Sequence, residues 1–236
     1  MSGRVTIVTG GAAHVGAAIV RRFASGGDTV VVADLVEILP DDVPGELVRT
    51  DVTDPDAVAA LVRATVERFG RVDTLVNNAG IWFRRTLAEI TPDEWDRVLA
   101  VNVRGAFLCS QAAAPVMAAQ GGGSIVNIGS QAGWTVTRGQ GLHYHVSKAA
   151  LMQMARVLAF ELGPSNVRVN CVAAGSVRAE GEPLTPGFEH LLDQTPLGRF
   201  ATPEDIARTC WFLASDDAAT ITGQTLTVNG GAVAYL

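Results

Sequence analysis

The sequence predicts one α/β domain, a doubly wound parallel sheet with helices on both faces, over residues 1–236. Short Val- and Ile-rich runs alternate with amphipathic stretches from end to end, the pattern of buried parallel strands joined by crossover helices. A glycine-rich turn, Thr9-Gly10-Gly11-Ala12-Ala13-His14-Val15-Gly16, separates the first strand-like run from the first helical one. No repeat, low-complexity linker or second alternating block divides the chain, and α/β domains reach this length as one unit.

Val5, Ile7 and Val8 place the first strand over 5–9, and a helix over about 15–25 follows the turn. Val30, Val31 and Val32 mark the second strand, over 29–33, and the third falls over 47–49. Pro40, Pro44 and Gly45 interrupt the stretch between Asp34 and Asp51, so this crossover has room for little more than a helical turn near 35–39. A helix over 55–69, a strand over 74–77 and a long helix from 92 to about 119 come next. Gly121-Gly122-Gly123 is a turn before the strand over 124–128. The chain closes with a helix over about 144–162, a strand over 167–172, a helix over 203–214 and a strand over 225–228. Asp54-Pro55, Thr91-Pro92 and Thr202-Pro203 mark three helix starts most sharply. Each offers a side-chain acceptor at the N-cap and a proline where a missing N–H costs nothing.

Hydrophobic residues make up 48% of the chain, ample for a core, and the formal charge is −6. A nucleic-acid partner, which would need a basic stripe, is not expected. The N-terminal residues lack the charged, apolar and small-residue regions of a signal peptide, and no uninterrupted apolar stretch reaches membrane-spanning length. The expectation is a cytoplasmic protein with no membrane partner. Cys109, Cys171 and Cys210 are widely spaced and form no Cys/His cluster, so they read as buried thiols and no metal site is expected.

The glycine turn lies where a backbone can approach a pyrophosphate at a helix N-terminus. Asp34 ends the second strand, eighteen positions beyond Gly16, where a carboxylate accepts hydrogen bonds from the adenosine ribose hydroxyls. A 2′-phosphate there would meet like charge, and no arginine follows Asp34 to offset it. The expected cofactor is NAD rather than NADP.

Lys148 is the single lysine among eighteen basic Lys and Arg residues, and it stands four positions after Tyr144. That spacing is about one helical turn, so phenol and ammonium share a face. A phenol with a pKa near ~10 is too weak an acid for neutral pH, and a neighbouring cation favours its ionised form. A compact ammonium suits this role where a planar guanidinium does not. Taken alone, Tyr-x-x-x-Lys is a weak signal that an ordinary surface lysine near a core tyrosine also produces.

In ordered company these residues resemble the short-chain dehydrogenase/reductase family over essentially the whole chain. The resemblance rests on the Thr-Gly-x-x-x-x-x-Gly turn at 9–16, Asp51-Val52, Asn77-Asn78-Ala79-Gly80, Asn102, Ser130 and the Tyr144/Lys148 pair. It continues through Pro196-Leu197-Gly198-Arg199-Phe200, Thr222-Gly223-Gln224 and Val228-Asn229-Gly230-Gly231. It implies a Rossmann fold that binds a nicotinamide cofactor and interconverts a secondary alcohol and a ketone. Tyr144 would be the general acid/base, Lys148 would lower the phenol's pKa and hold the nicotinamide ribose, Ser130 would position the substrate oxygen, and Asn102 would hold a water linking Lys148 to solvent. Cofactor contacts would come from Gly10, His14, Val15, Gly16, Asp34, Leu35, Asp51, Val52, Asn77, Ala79, Gly80, Tyr144, Lys148 and the Val177 backbone.

The chain departs from the family's pattern at four places. His14 replaces a glycine beside the expected pyrophosphate, so the turn is displaced or the imidazole supplies a donor. Ala174-Gly175 stands for Pro-Gly, and Ala179 for a threonine, with Thr185 the candidate to replace its hydroxyl in part. Tyr144 follows Ser130 by fourteen positions, one more than usual.

Trp82, Trp134, Arg138 and His143 are the candidate substrate residues, facing a small cyclic or aromatic-bearing molecule. Trp82 and Trp134 read equally as packing residues, and His143 and His145 as loop or interface residues flanking the tyrosine. A 3-oxoacyl carrier-protein reductase is the alternative substrate class. A nucleotide-binding regulator without turnover is the alternative of another kind. The long helices over 92–119 and 144–162 carry more apolar residues than one sheet face needs, which predicts a homodimer or homotetramer.

Overall fold

The computed structural model describes residues 3–137, 139–183 and 189–232. Its sheet has seven parallel strands: β1 (Val5–Thr9), β2 (Thr29–Asp34), β3 (Glu46–Arg49), β4 (Thr74–Asn77), β5 (Gly123–Ser130), β6 (Val167–Ala174) and β7 (Thr225–Val228). Their order is β3-β2-β1-β4-β5-β6-β7. The order reverses between β1 and β4, and the crevice beyond the carboxyl ends of these two strands is where open α/β sheets bind ligands.

Alternation within each strand divides the core into two layers. Val31 and Ala33 of β2 join the layer under α2 (Pro55–Phe69), α4 (Gly105–Ala119) and α5 (Leu142–Leu162). Val30 and Val32 join the layer under α1 (His14–Ser25) and α7 (Pro203–Ala214). The proline-marked helix starts form as expected. The Asp54 carboxylate accepts the Asp56 N–H at 2.9 Å, Thr91 Oγ1 accepts the Glu94 N–H at 3.1 Å, and Thr202 Oγ1 accepts the Asp205 N–H at 3.2 Å. The Asp205 carboxylate returns a bond to the Thr202 N–H at 2.9 Å, closing a capping box.

Four expectations need correction. The helix over 92–119 is three segments: α3 (Pro92–Leu99), a π-helical turn over Ala100–Arg104, and α4. The wide turn sets Asn102 inward, a local irregularity of the kind found at functional sites. The β2–β3 crossover holds no helical turn. It bends through Pro40 and Pro44, with Val43 buried against the α1 layer. Helix α5 begins at Leu142, two residues earlier than expected, on a Gly141 N-cap that makes no side-chain bond and so leaves no polar signal in the sequence. A short helix, α6 (Glu189–Asp193), was not expected at all. Among the described residues, no helix is long and apolar enough to cross a membrane.

Candidate active site

The cradle at the end of β1 is built by backbone crowding. Gly10 has φ +62°, and a Cβ on it would come within 2.9 Å of Ala79 Cα. A Cβ on Gly16 would overlap the Gly10 carbonyl oxygen. Glycine is therefore required at both positions so that α1 can start against the turn. Thr9 Oγ1 accepts the N–H groups of Asn78 (3.0 Å) and Ala79 (3.1 Å), while Asn78 Nδ2 donates to the carbonyls of Thr9 (3.0 Å) and Gly10 (2.8 Å). Asn78 thus ties the β4 end to the glycine turn, a bracing role that sequence reasoning assigned to no residue.

Asn77 corrects the expectation next to it. Its side chain is buried and donates to Ala106 O, Ser110 Oγ and Asn127 Oδ1, so it braces α4 and β5 inside the fold and leaves only its backbone at the β4 end to meet a cofactor. Helix α1 starts without a side-chain cap and without an acidic residue in its first turn. Its leading N–H groups suit an anion, and the residues present fit a dinucleotide pyrophosphate. His14 opens that helix with φ +48° and an exposed side chain, and Val15 behind it is half-buried. A non-glycine residue in this region is uncommon.

At the β2 end, Asp34 Oδ2 accepts the Ala12 N–H at 3.0 Å and Oδ1 accepts the Leu35 N–H at 2.7 Å. The carboxylate is thereby fixed at the rim of the turn, with Leu35 exposed beside it. Asp51 Oδ1 accepts both the N–H and the hydroxyl of Thr53 at 2.8 Å, and these bonds hold its pKa below the ordinary carboxylate value. Val52 is buried, and a Cβ on Gly105 would come within 2.8 Å of its Cγ2. Val177 bridges to Ala201 between β6 and α7.

Ser130 ends β5, and Tyr144 and Lys148 lie one turn apart on α5. The Lys148 ammonium is buried, donates to Ile128 O at 2.8 Å and sits 5.6 Å from the centre of the Tyr144 ring. Asn102 Oδ1 accepts the Ile81 N–H at 2.8 Å, and its Nδ2 donates to Ile81 O (2.9 Å) and Ser147 Oγ (3.0 Å). Ser147 Oγ in turn donates to Tyr144 O at 2.8 Å. A Cβ on Gly80 would lie 3.4 Å from Asn102 Oδ1 and 3.6 Å from Lys148 Nζ. The π turn, the β4 end and α5 therefore meet beside Gly80, with Asn102 and Lys148 at the junction.

Electrostatics differ from the expectation in one respect. Burial pushes the Tyr144 phenol above its ordinary value, and the hydrogen bond with Ser130 lowers it by less. Burial also brings Lys148 down from 10.5 to about 8. In the protein by itself desolvation dominates both groups, whereas the sequence pointed only to the cation's pull on the phenol.

Trp82 and Trp134 are 51% and 48% exposed, so neither is a core packing residue. Trp82 follows Gly80 by two positions and Trp134 follows Ser130 by four, which sets both beside the catalytic strands' ends. His143 corrects the substrate list. It lies in α5 with no exposure, its Nδ1 accepts the Tyr144 N–H at 2.9 Å, and its Nε2 is 3.9 Å from the Glu94 carboxylate. It is neither a loop, an interface nor an open pocket residue. His145 is also helical, with its ring held by Thr137 and Gly141. Arg138 and Thr185 lie outside the described residues. Ala179 is exposed, and its N–H donates to the Glu182 carboxylate at 3.0 Å. Among the described residues no group of three or more His, Cys, Asp or Glu side chains is arranged to hold a metal ion.

Comparison with known proteins bears on the family and the fold. A family model described as enoyl-(acyl carrier protein) reductase matches residues 10–233. The chain is 37% identical to a 3-oxoacyl-(acyl-carrier-protein) reductase of Thermotoga maritima, covering 99% of each chain. It is 38% identical to a trans-4-hydroxycyclohexanecarboxylate dehydrogenase of Sinomonas cyclohexanicum, covering 98% of this chain and 93% of that one. A crystal structure of a short-chain type dehydrogenase/reductase from Mycobacterium marinum superposes with a TM-score of 0.90 at 33% identity, over 99% of this chain and 96% of that one. The chain belongs to the short-chain dehydrogenase/reductase family, oxidoreductases that act on CH–OH groups.

Proposed function

We propose that this short-chain dehydrogenase/reductase interconverts a secondary alcohol and a ketone on a small substrate that is cyclic or bears an aromatic ring, using NAD(H) and Tyr144 as general acid/base. The observation that carries the reading is a linked set from three separate elements: Ser130 hydrogen-bonds Tyr144, Lys148 lies 5.6 Å from the Tyr144 ring, and Lys148 and Asn102 both border Gly80. When bound, the nicotinamide supplies or accepts the hydride. The protein supplies the proton chemistry: the Tyr144 phenol gives a proton to the substrate oxygen or takes one from it, and the Ser130 hydroxyl positions that oxygen. Lys148, fixed within the fold by the Ile128 carbonyl, keeps a positive charge near the ionising phenol. Asn102 holds the Ile81 backbone and Ser147, and so keeps the β4 end and α5 in register.

Gly10, Gly16 and the uncapped start of α1 would hold the pyrophosphate, and Asp34, fixed by Ala12 and Leu35, would hold the adenosine ribose. A carboxylate at this position favours NAD over NADP. The exposed Trp82 and Trp134 support a ring-bearing substrate, in keeping with the cyclohexane ring in the name of the Sinomonas relative. The Thermotoga relative favours a 3-oxoacyl carrier-protein reductase as the second reading, against which stand Asp34 and the formal charge of −6, unsuited to an acidic carrier. The apolar groove of about 860 Å³ between the π turn and α5, lined by Leu99, Val103, Phe107, Val146 and Met154 among others, supports a homodimer or homotetramer.

Screening NAD+ reduction against cyclic alcohols and diols, followed by NADH absorbance, tests the substrate class. Tyr144→Phe is expected to lower kcat by about a hundredfold or more while NADH still binds. A variant with unchanged steady-state rates would remove Tyr144 from the chemistry.

A further inference from the structure

The absence of an arginine after Asp34 holds along the chain but not in space. In the parallel pairing of β2 with β3, Asp34 lies opposite Arg49, and opposite residues of neighbouring strands project from the same face of the sheet. The Arg49 side chain turns toward the segment just beyond Asp34. Its Nε approaches Leu35 O at 3.4 Å and forms an ion pair with Glu37 Oε1 at 3.1 Å. Both partners of this pair are largely exposed, at 64% and 78% for the side chains. Farther along the crossover come Asp41 and Asp42, and Asp42 is held elsewhere by Arg21 at 2.8 Å. At the β2 end Arg49 is thus paired with Glu37, while Asp34, its register partner, has its carboxylate fixed by the Ala12 and Leu35 N–H groups.

We propose that Arg49 is the cofactor-selecting cation of this chain, a latent receiver for the 2′-phosphate of NADP(H) that the Glu37 ion pair holds out of use while Asp34 repels the phosphate itself. The inference rests on the reading that Asp34 faces the adenosine ribose. A planar guanidinium matches a phosphate through paired N–H bonds, and Arg49 stands on the strand next to the residue that would meet the 2′ position. The Nε–H goes to Leu35 O and Glu37 offsets the charge as an ion pair, while Asp34 repels a phosphate directly. Discrimination against NADP(H) thus has two parts, repulsion by Asp34 and neutralisation of Arg49 by Glu37, and the second part is invisible in a sequence read residue by residue.

Isothermal titration of the full chain with NADH and with NADPH reads both affinities without turnover. The Asp34→Asn/Glu37→Gln variant is expected to bind NADPH about tenfold or more tighter than the unaltered chain does, the scale of one freed charge-assisted contact. Adding Arg49→Gln is expected to remove most of that gain, whereas Arg49→Gln alone leaves NADH affinity within about twofold, as for a surface ion pair. A gain that persists with glutamine at 49, or no gain in the double variant, overturns the assignment of Arg49 while leaving NAD binding in place. An unaltered chain that already prefers NADPH overturns the Asp34 reading and this inference with it.

Discussion

Replacing Lys148 with methionine isolates the consequence of holding an ammonium inside the fold. Lys148 is buried, donates to Ile128 O at 2.8 Å, and has its pKa brought down from 10.5 to about 8 by burial, with the neighbouring Cys171 opposing the shift. Between those two values the unfolded chain binds a proton that the folded chain has released. Stability contributed through this group therefore rises with pH across the window from about 8 to 10.5. At about 1.4 kcal/mol per pH unit across the window, the rise from pH 7 to pH 10 is on the order of 2–3 kcal/mol. Urea unfolding of both chains at pH 7, 8, 9 and 10, followed by tryptophan fluorescence, measures it. The stability of the unaltered chain minus that of Lys148→Met should climb with pH by roughly this amount. The buried Cys109 and Cys210 thiols, raised by burial and not pulled by Lys148, titrate alike in both chains and cancel in the difference, whereas Cys171, which the ammonium pulls down, enters it. A difference that stays flat or falls would show that the ammonium is not desolvated, and the electrostatic account of the site would fail.

Asn102→Ala removes bonds to Ile81 N, Ile81 O and Ser147 Oγ. At about 1 kcal/mol for each, the loss is roughly 3 kcal/mol; a urea-derived loss under about 1 kcal/mol would mean that water replaces the amide freely. Gly16→Ala forces a methyl group onto the Gly10 carbonyl, so NADH affinity measured by titration should fall by about tenfold or more as the turn shifts. Gly163→Ala, which meets nothing within 4 Å, is the control and should bind NADH like the unaltered chain. Light scattering should give a mass of two or four chains, and Phe107→Glu in the apolar groove should shift it toward one.

Much of the fold was legible because its signals are local. The Pro-marked helix starts carry their caps within three residues, and α2, α7, β1, β4 and β7 lie where periodicity and punctuation place them. The break between α3 and α4 was not legible, because the π turn follows from Asn102 bonding the Ile81 backbone, a partner twenty-one positions away. The start of α5 was missed for a related reason, since Gly141 caps it without a side chain.

The sequence alone determined the alternating architecture, the glycine turn and the residue types able to do proton chemistry, since each depends on backbone freedom or side-chain identity within a few positions. Tertiary structure decided which way those side chains face. It turned Asn77 inward and set Asn78 across the glycine turn, sealed His143 against Glu94, and brought Arg49 beside Asp34. These outcomes depend on strand order and register, which join residues far apart in the chain, and no short-range pattern encodes the pairing.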